Sequence, residues 1–378
     1  MSINYATVRP LDGKIKHTSN ETLQFVVSCE GQTIDPGSFS INGEAVIMIS
    51  SGTITATTDE VLIDNYAGAH SFFRDITCST TGNGSLESIT DYPRLVAMKT
   101  DATILRDSLG TESFNSIEGK NANKRIMQGW CKGSVDYGAT AGQPFVVKPD
   151  ICINKSSAGL RGNQVGMIRV YIQLAPDSEA LFGKQNVAAC TYELNNLELR
   201  YTWTADDGKR PPVSMEVYES QRDVINSNIA NISTMVTKPC NAVHISFLPV
   251  SDIQDVTLNQ TRRAAFPGKP ASSDVIDPNY GAERLLYAVN DVDNALINFT
   301  LENRETILWN YLRSFNLDSK RFNVVNARYT SGMSNGYGIG ISFGGYVDFS
   351  NKNFAAQIVS QVTEATNVYM FFRAQITL

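Results

Sequence analysis

The dominant pattern along the chain is alternation. Leu197, Leu199, Tyr201 and Trp203 alternate with Glu198, Arg200 and Thr202, and Ile168, Val170, Ile172 and Leu174 alternate with Arg169, Tyr171 and Gln173. Successive side chains of a strand point to opposite faces, so a period of two predicts half-buried strands. The same rule predicts strands over 22–29, with Leu23, Phe25, Val27 and Cys29 on one face, and over 39–49, with Phe39, Ile41, Ala45, Ile47 and Ile49. Asp35-Pro36-Gly37 between them is a turn, because proline fixes φ and glycine tolerates the reversal. Val61 to Ile63 is a short apolar entry to the next stretch. Ser71 to Cys78 puts Phe72, Ile76 and Cys78 on one face, and Thr81-Gly82-Asn83-Gly84 turns the chain into a partner strand over 85–89. With a strand in 144–154, about eight strands precede residue 206, the number a jelly roll needs. Periodicity fades over 96–142, which reads as one elaborated loop at a barrel end.

Thr204-Ala-Asp-Asp-Gly-Lys-Arg-Pro-Pro212 gathers charge, glycine and paired prolines between two strong strands, so the domain boundary is placed there. Strands are expected again at 213–218, 242–250, 284–290, 295–300, 322–329, 337–343, 346–349 and 367–377. Val224, Ile225, Ile229 and Ile232 are spaced for a short helix over 219–232. Ile307, Leu308, Tyr311, Leu312 and Phe315 predict a helix over 301–315, free of proline and glycine. Residues 251–282, broken by Pro267, Gly268, Pro270 and Pro278, read as a second long loop.

Two stretches carry a family resemblance. The first is an Asn65-x-x-Gly68-x-His70-Ser71 corner, a strand, a glycine turn and Leu86-Glu-x-Ile-x-x-Tyr-Pro-Arg-Leu95. The second is the run from Leu285 to Leu296, the helix with Asn310-Tyr-Leu-Arg-Ser-Phe-Asn316, then GYGIGISFGGYVDFSNKNF and a closing aromatic strand. Together they resemble double jelly-roll major capsid proteins, in particular those of virophages and of polinton-like or adintovirus-like DNA viruses. The resemblance covers most of 22–378 and leaves the two long loops unmatched. It implies an all-β fold of two tandem eight-stranded antiparallel jelly-roll barrels, with a few short helices and long loops, divided as an N-terminal arm (1–20), a first barrel (21–206) and a second (207–378). It further implies a non-enzymatic shell protein whose homotrimer is a pseudo-hexameric capsomer of an icosahedral capsid. Its partners would be neighbouring capsomers, penton and minor capsid proteins, with an internal membrane beneath the shell left open, and it would be made in the host cytoplasm and reside in the virion. The arm, with Arg9, Lys14, Lys16 and His17 among polar residues, would latch neighbours together; a frayed terminus is the plainer account.

Composition narrows the alternatives. At 378 residues, 42% hydrophobic and 19% charged, the chain is long enough for two folded domains. Neither a long apolar run nor an apolar leader is present, which predicts no membrane span and no signal peptide. The six cysteines are scattered without a C-x-x-C pair, so buried free thiols are expected instead of zinc sites or disulfides. The net charge of −6 and the lack of a basic stripe argue against direct, sequence-specific nucleic-acid binding.

Candidate chemistry is thin. Gly332-Met-Ser334-Asn-Gly336 fits G-x-S-x-G, but no helix is predicted after it and no histidine follows it, so a plain turn is favoured. Gly336, Gly338 and Gly340 complete no phosphate-loop motif and read as a strand face that lets another backbone or ring come close. Asp291 and Asp293 lack the glycine a calcium loop requires, since Leu296 stands there. His17, His70 and His244 lie far apart, with no carboxylate or cysteine at ligand spacing, and His70 is read as a hydrogen-bonded structural group. No catalytic, cofactor-binding or metal residue is assigned, and no cofactor is expected. A vertex or spike component of the same kind of virion is one alternative. A carbohydrate-binding or hydrolytic β-sandwich is another, which would call for an exposed aromatic cluster or a carboxylate pair.

Overall fold

Alternating burial drives nearly every strand. The computed structural model describes residues 3–49, 60–64, 67–103, 131–132, 143–184, 190–253, 255–261, 282–289, 292–293, 299–300, 304–316, 339–349, 353–360 and 364–378. In the first half the strands are β1 (Asn4–Val8), β2 (Lys16–Thr18), β3 (Thr22–Val27), β4 (Gln32–Ile34), β5 (Ser40–Ile49), β6 (Glu60–Leu62), β7 (Phe73–Thr80), β8 (Gly84–Ile89), β9 (Cys131–Lys132), β10 (Gln143–Val147), β11 (Leu160–Arg161), β12 (Ile168–Leu174), β13 (Phe182–Lys184) and β14 (Cys190–Ala205). In the second they are β15 (Ser214–Ile225), β16 (Ile229–Met235), β17 (Cys240–Pro249), β18 (Ala282–Val289), β19 (Val292–Asp293), β20 (Phe299–Thr300), β21 (Ile339–Val347), β22 (Asn353–Ser360) and β23 (Thr366–Thr377). The two long helices are α1 (Tyr92–Thr103) and α2 (Arg304–Ser314).

Each half stacks four principal strands on four. In the first, β10 pairs with β5, β5 and β4 follow one another along one edge of β14, and β1 and β2 take its other edge, and this sheet faces β3-β12-β7-β8; in the second, β15-β23-β17-β21 faces β16-β22-β18-β19. Short edge strands extend this framework. The cores fill from both faces: Phe72 meets Tyr192 of β14 at 4.8 Å, and Phe354 of β22 meets Phe372 of β23 edge-on at 5.2 Å. Along β14 the buried set runs Tyr192, Leu194, then Leu197, Leu199, because a bulge between Asn195 and Glu198, with Asn196 at φ 53°, resets the parity and keeps both runs inside. The turn at 35–38 forms as expected, with Gly37 at φ 65° and the Ser38 amide donating to the Asp35 carbonyl. Five cysteines, Cys29, Cys78, Cys152, Cys190 and Cys240, are buried free thiols.

The halves share one sheet. Strands β3-β12-β7-β8 continue into β15-β23-β17-β21, with β8 and β15 running parallel and registered through Ser88 and Glu219. All other neighbours in that sheet are antiparallel.

Several sequence expectations are corrected. Residues 219–232 form no helix but the end of β15 and the start of β16; Ile225 and Ile232 are buried while Val224 and Ile229 are exposed, a strand's alternation that happened to mimic helical spacing. The stretch from Val96 begins as α1, with Leu95, Met98 and Ala102 buried and Pro93 near its start, where a missing N–H costs nothing; residues 104–130 and 133–142 lie outside the described residues. The strand expected in 144–154 ends at Val147 and gives way to a 3₁₀ turn over Cys152–Lys155. The two short strands expected at 337–349 are one, β21, and β22 was not foreseen. The arm is no frayed end: β1 and β2 pair with β14 on the edge opposite β5. The strand expected at 322–329 and most of that at 295–300 fall outside the described residues, as do Ser334, Gly336, Gly338 and Asp291.

Candidate functional site

The parallel contact between β8 and β15 is short, and side chains reinforce it. Glu87, at the centre of β8 and 1% exposed, accepts the Cys152 amide N–H at 2.6 Å on Oε2 and the Tyr218 amide N–H at 2.7 Å on Oε1. One carboxylate thus satisfies backbone donors from both halves. Lys155 Nζ lies 3.6 Å from Glu87 and 3.8 Å from both Asp150 and Glu216, and sits 4.5 Å above the Tyr218 ring. Lys99 of α1 adds a 2.8 Å bond to Asp150. Burial pushes the Glu87 carboxyl up, with Lys155 and the two amides pulling against it. For Asp150 the same burial is outweighed by Lys155 and Lys99, which hold it well below the usual carboxylate range. Around this core, the Thr90 amide donates to Ser220 Oγ at 2.8 Å, the Ser157 amide to the Ser214 carbonyl at 2.8 Å, and Ser156 bridges Met215.

The histidines are structural. His70 Nδ1 bonds the Tyr92 hydroxyl at 2.9 Å, and that hydroxyl accepts the Asp150 amide N–H at 2.8 Å. Burial lowers His70 to about 4, so the ring stays neutral. His244 is fully buried, stacked on Phe315 at 3.9 Å, with Nδ1 3.0 Å from Ser314 Oγ. Ser314 gives its own proton to the Tyr311 carbonyl at 2.6 Å, so His244 Nδ1 carries the hydrogen and Nε2 is a buried lone pair without a partner among the described residues. This serine–histidine contact is sealed from solvent and, among the described residues, has no carboxylate behind it, so it serves packing. His17 is also fully buried, and here the sequence reading missed its partners: the fold brings Glu21 to 3.3 Å and Asp12 to 3.7 Å of Nδ1, while Lys14 Nζ reaches Glu21 at 3.2 Å and supplies the cation. Gly340 fulfils the close-approach reading: a Cβ there would lie 2.7 Å from the Tyr311 Cα of α2. Asp293 sits in β19.

Among the described residues singled out from the sequence, His17 alone is brought onto carboxylates, Asp12 and Glu21, and none is brought onto a serine or cysteine in reach of solvent. What the fold concentrates is a rigid seam. No family model and no curated protein sequence matches the chain. Solved structures do. The Faustovirus major capsid protein superposes with a TM-score of 0.63 at 10% identity, covering 100% of this chain and 90% of that one. The chain is a double jelly roll. The Sputnik virophage structure matches it with a TM-score of 0.59 at 11% identity over 100% of this chain and 86% of that one, and the PBCV-1 virus capsid with 0.57 at 12% over 100% and 94%. A likeness at this identity is one of fold, and it extends through both jelly rolls and the seam between them.

Proposed function

We propose that this double jelly roll is the major capsid protein of an icosahedral DNA virus, a structural protein without enzymatic activity. Three copies form a pseudo-hexameric capsomer, in which an arm (1–20), a first barrel (21–206) and a second barrel (207–378) each present repeated contacts. The observation that carries this reading is the side-by-side pair of sandwiches sharing one sheet, a shape that lets a three-fold assembly offer six similar corners. Exposed apolar side chains support it: Tyr5, Leu11 and Ile15 on the arm and Ile229 and Met235 on β16 are more than half exposed, surface that association would cover. A permanent interface of this kind buries more than roughly 2,000 Å² in total. Neighbouring capsomers, penton and minor capsid proteins are the partners, the virion the location, and the host cytoplasm the place of synthesis. Light scattering of the purified protein tests the proposal. A mass three times the 41.5 kDa of the chain is expected. A monomer at micromolar concentration refutes it, and a pentamer would indicate a vertex protein instead.

A further inference from the structure

A cleft of about 440 Å³ opens where the two halves meet, and both supply its walls. Three guanidinium groups reach it from three elements: Arg74 from β7, Arg94 from the first turn of α1 and Arg222 from β15. Arg94 and Arg222 lie 4.5 and 5.2 Å from the centre of the Tyr369 ring, which also lines the cleft, and Arg94 donates to Ser246 Oγ at 3.1 Å and to the Gln260 carbonyl at 2.5 Å. Arg222 gives two N–H groups to the neutral Asn367 Oδ1, at 3.1 and 2.8 Å, and among the described residues has no carboxylate within ion-pair distance. Arg74 is engaged at Nε by Glu179, at 3.5 Å. In the same wall the Ser71 hydroxyl is buried with no hydrogen-bond partner among the described residues.

We infer that this cleft binds a small oxyanion of the phosphate or carboxylate class, held by Arg74 from the first half and Arg222 from the second, with Ser71 donating a further hydrogen bond and the buried Arg94 adding positive charge beside them. Guanidinium groups match the planar, multi-oxygen geometry of such anions, and the volume suits a small ligand. Because its ligands come from both halves, the bound anion cross-links the seam from outside as Glu87 does from within. The inference does not depend on the capsid reading. Asp91 and Glu179 share the cleft with the three arginines, and Asp75 lies close by; burial pushes the Asp91 and Glu179 carboxyls up, so both take up protons readily as pH falls and the site becomes more cationic.

Isothermal titration of inorganic phosphate, and separately of citrate, into the full-length protein at constant ionic strength tests this and tells the two anion classes apart. A saturable heat is expected with at least one anion, weakened about tenfold or more by Arg222→Gln. Because Arg222 also packs on Tyr369, Arg74→Gln serves as a second variant with the same expected loss. No saturable heat with either anion, or undiminished affinity in both variants, overturns the inference.

Discussion

Glu87 is the most consequential single side chain, and its removal is the sharpest test of how the two halves are joined. Glu87→Ala leaves the Cys152 and Tyr218 amides without their acceptor inside a sealed seam and removes one of the three carboxylates around Lys155. Each buried donor left unpaired costs about 1–3 kcal/mol, and breaking a buried ionic cluster costs about 3–5 kcal/mol. Since Asp150 and Glu216 still face Lys155, the loss falls near 4 kcal/mol and not at the sum of these terms. Glu87→Gln keeps the shape but offers one acceptor oxygen and turns an NH₂ toward the other amide donor, so a loss of about 2 kcal/mol is expected. Burial works against the charge on Glu87, and Lys155 and the two amide donors offset that cost, so the carboxylate is kept for the donors it satisfies. Differential scanning calorimetry is the assay. At about 2–4 °C per kcal/mol for domains of this size, Glu87→Ala should melt roughly 8–16 °C lower and show two resolved transitions as the halves uncouple. A drop below about 1 kcal/mol with one unsplit transition would refute the seam argument.

The other predictions concern acid and close packing. His244 is held neutral by burial, with Arg373 and Lys99 adding to the depression, and His70 likewise by burial, so the unfolded chain binds more protons than the native one once pH drops below about 6.5. Stability is therefore full above that pH and lost as it falls, by up to about 1.4 kcal/mol per pH unit for each ring. His244→Asn should lower stability at neutral pH yet flatten urea-derived stability between about pH 6.5 and 5; an unchanged slope would rule out His244 as a source. Gly340→Ala should destabilise by about 1–3 kcal/mol, since its Cβ would press on Tyr311 and on Ser314, the partner of His244. A thermal melt within error of the parent would contradict that packing.

Strands with strict alternation were legible from sequence because burial on one face leaves a period-two record, as in β12 and the hairpin of β7 and β8. β22 escaped because Phe354, Ala356 and Ile358 point inward while Ala355 also stands outside, so the alternation is blurred by small residues. α1 escaped because Lys99, Thr100 and Asp101 interrupt its apolar stripe. The sheet shared by both halves left no local trace. Glu87 reads as a polar residue within a strand, and its partners lie 65 and 131 positions away. The only hint is a carboxylate flanked by Leu86 and Ile89, both buried. His17 shows the opposite failure: Asp12 and Glu21 were close enough in sequence to be suspected, but nothing in their spacing says that a turn would fold them onto one nitrogen.

The seam explains why a polar solution suits this protein where an apolar one would also have folded. Two sandwiches touching through greasy surfaces alone can slide, because hydrophobic contact is proportional to area and indifferent to register. The β8–β15 ladder is too short to prevent that by itself. Directional bonds from Glu87, Thr90 and Ser157 to the backbone or side chains of the other half are made at one relative placement and lost at any other. Buried polar groups of this kind add little net stability compared with packed hydrocarbon, and register is the use for which they are best attested. Under the trimeric assembly proposed above, repeating one corner angle around a three-fold axis would call for that fixed placement more than for extra stability, and Glu87 between the halves would supply it.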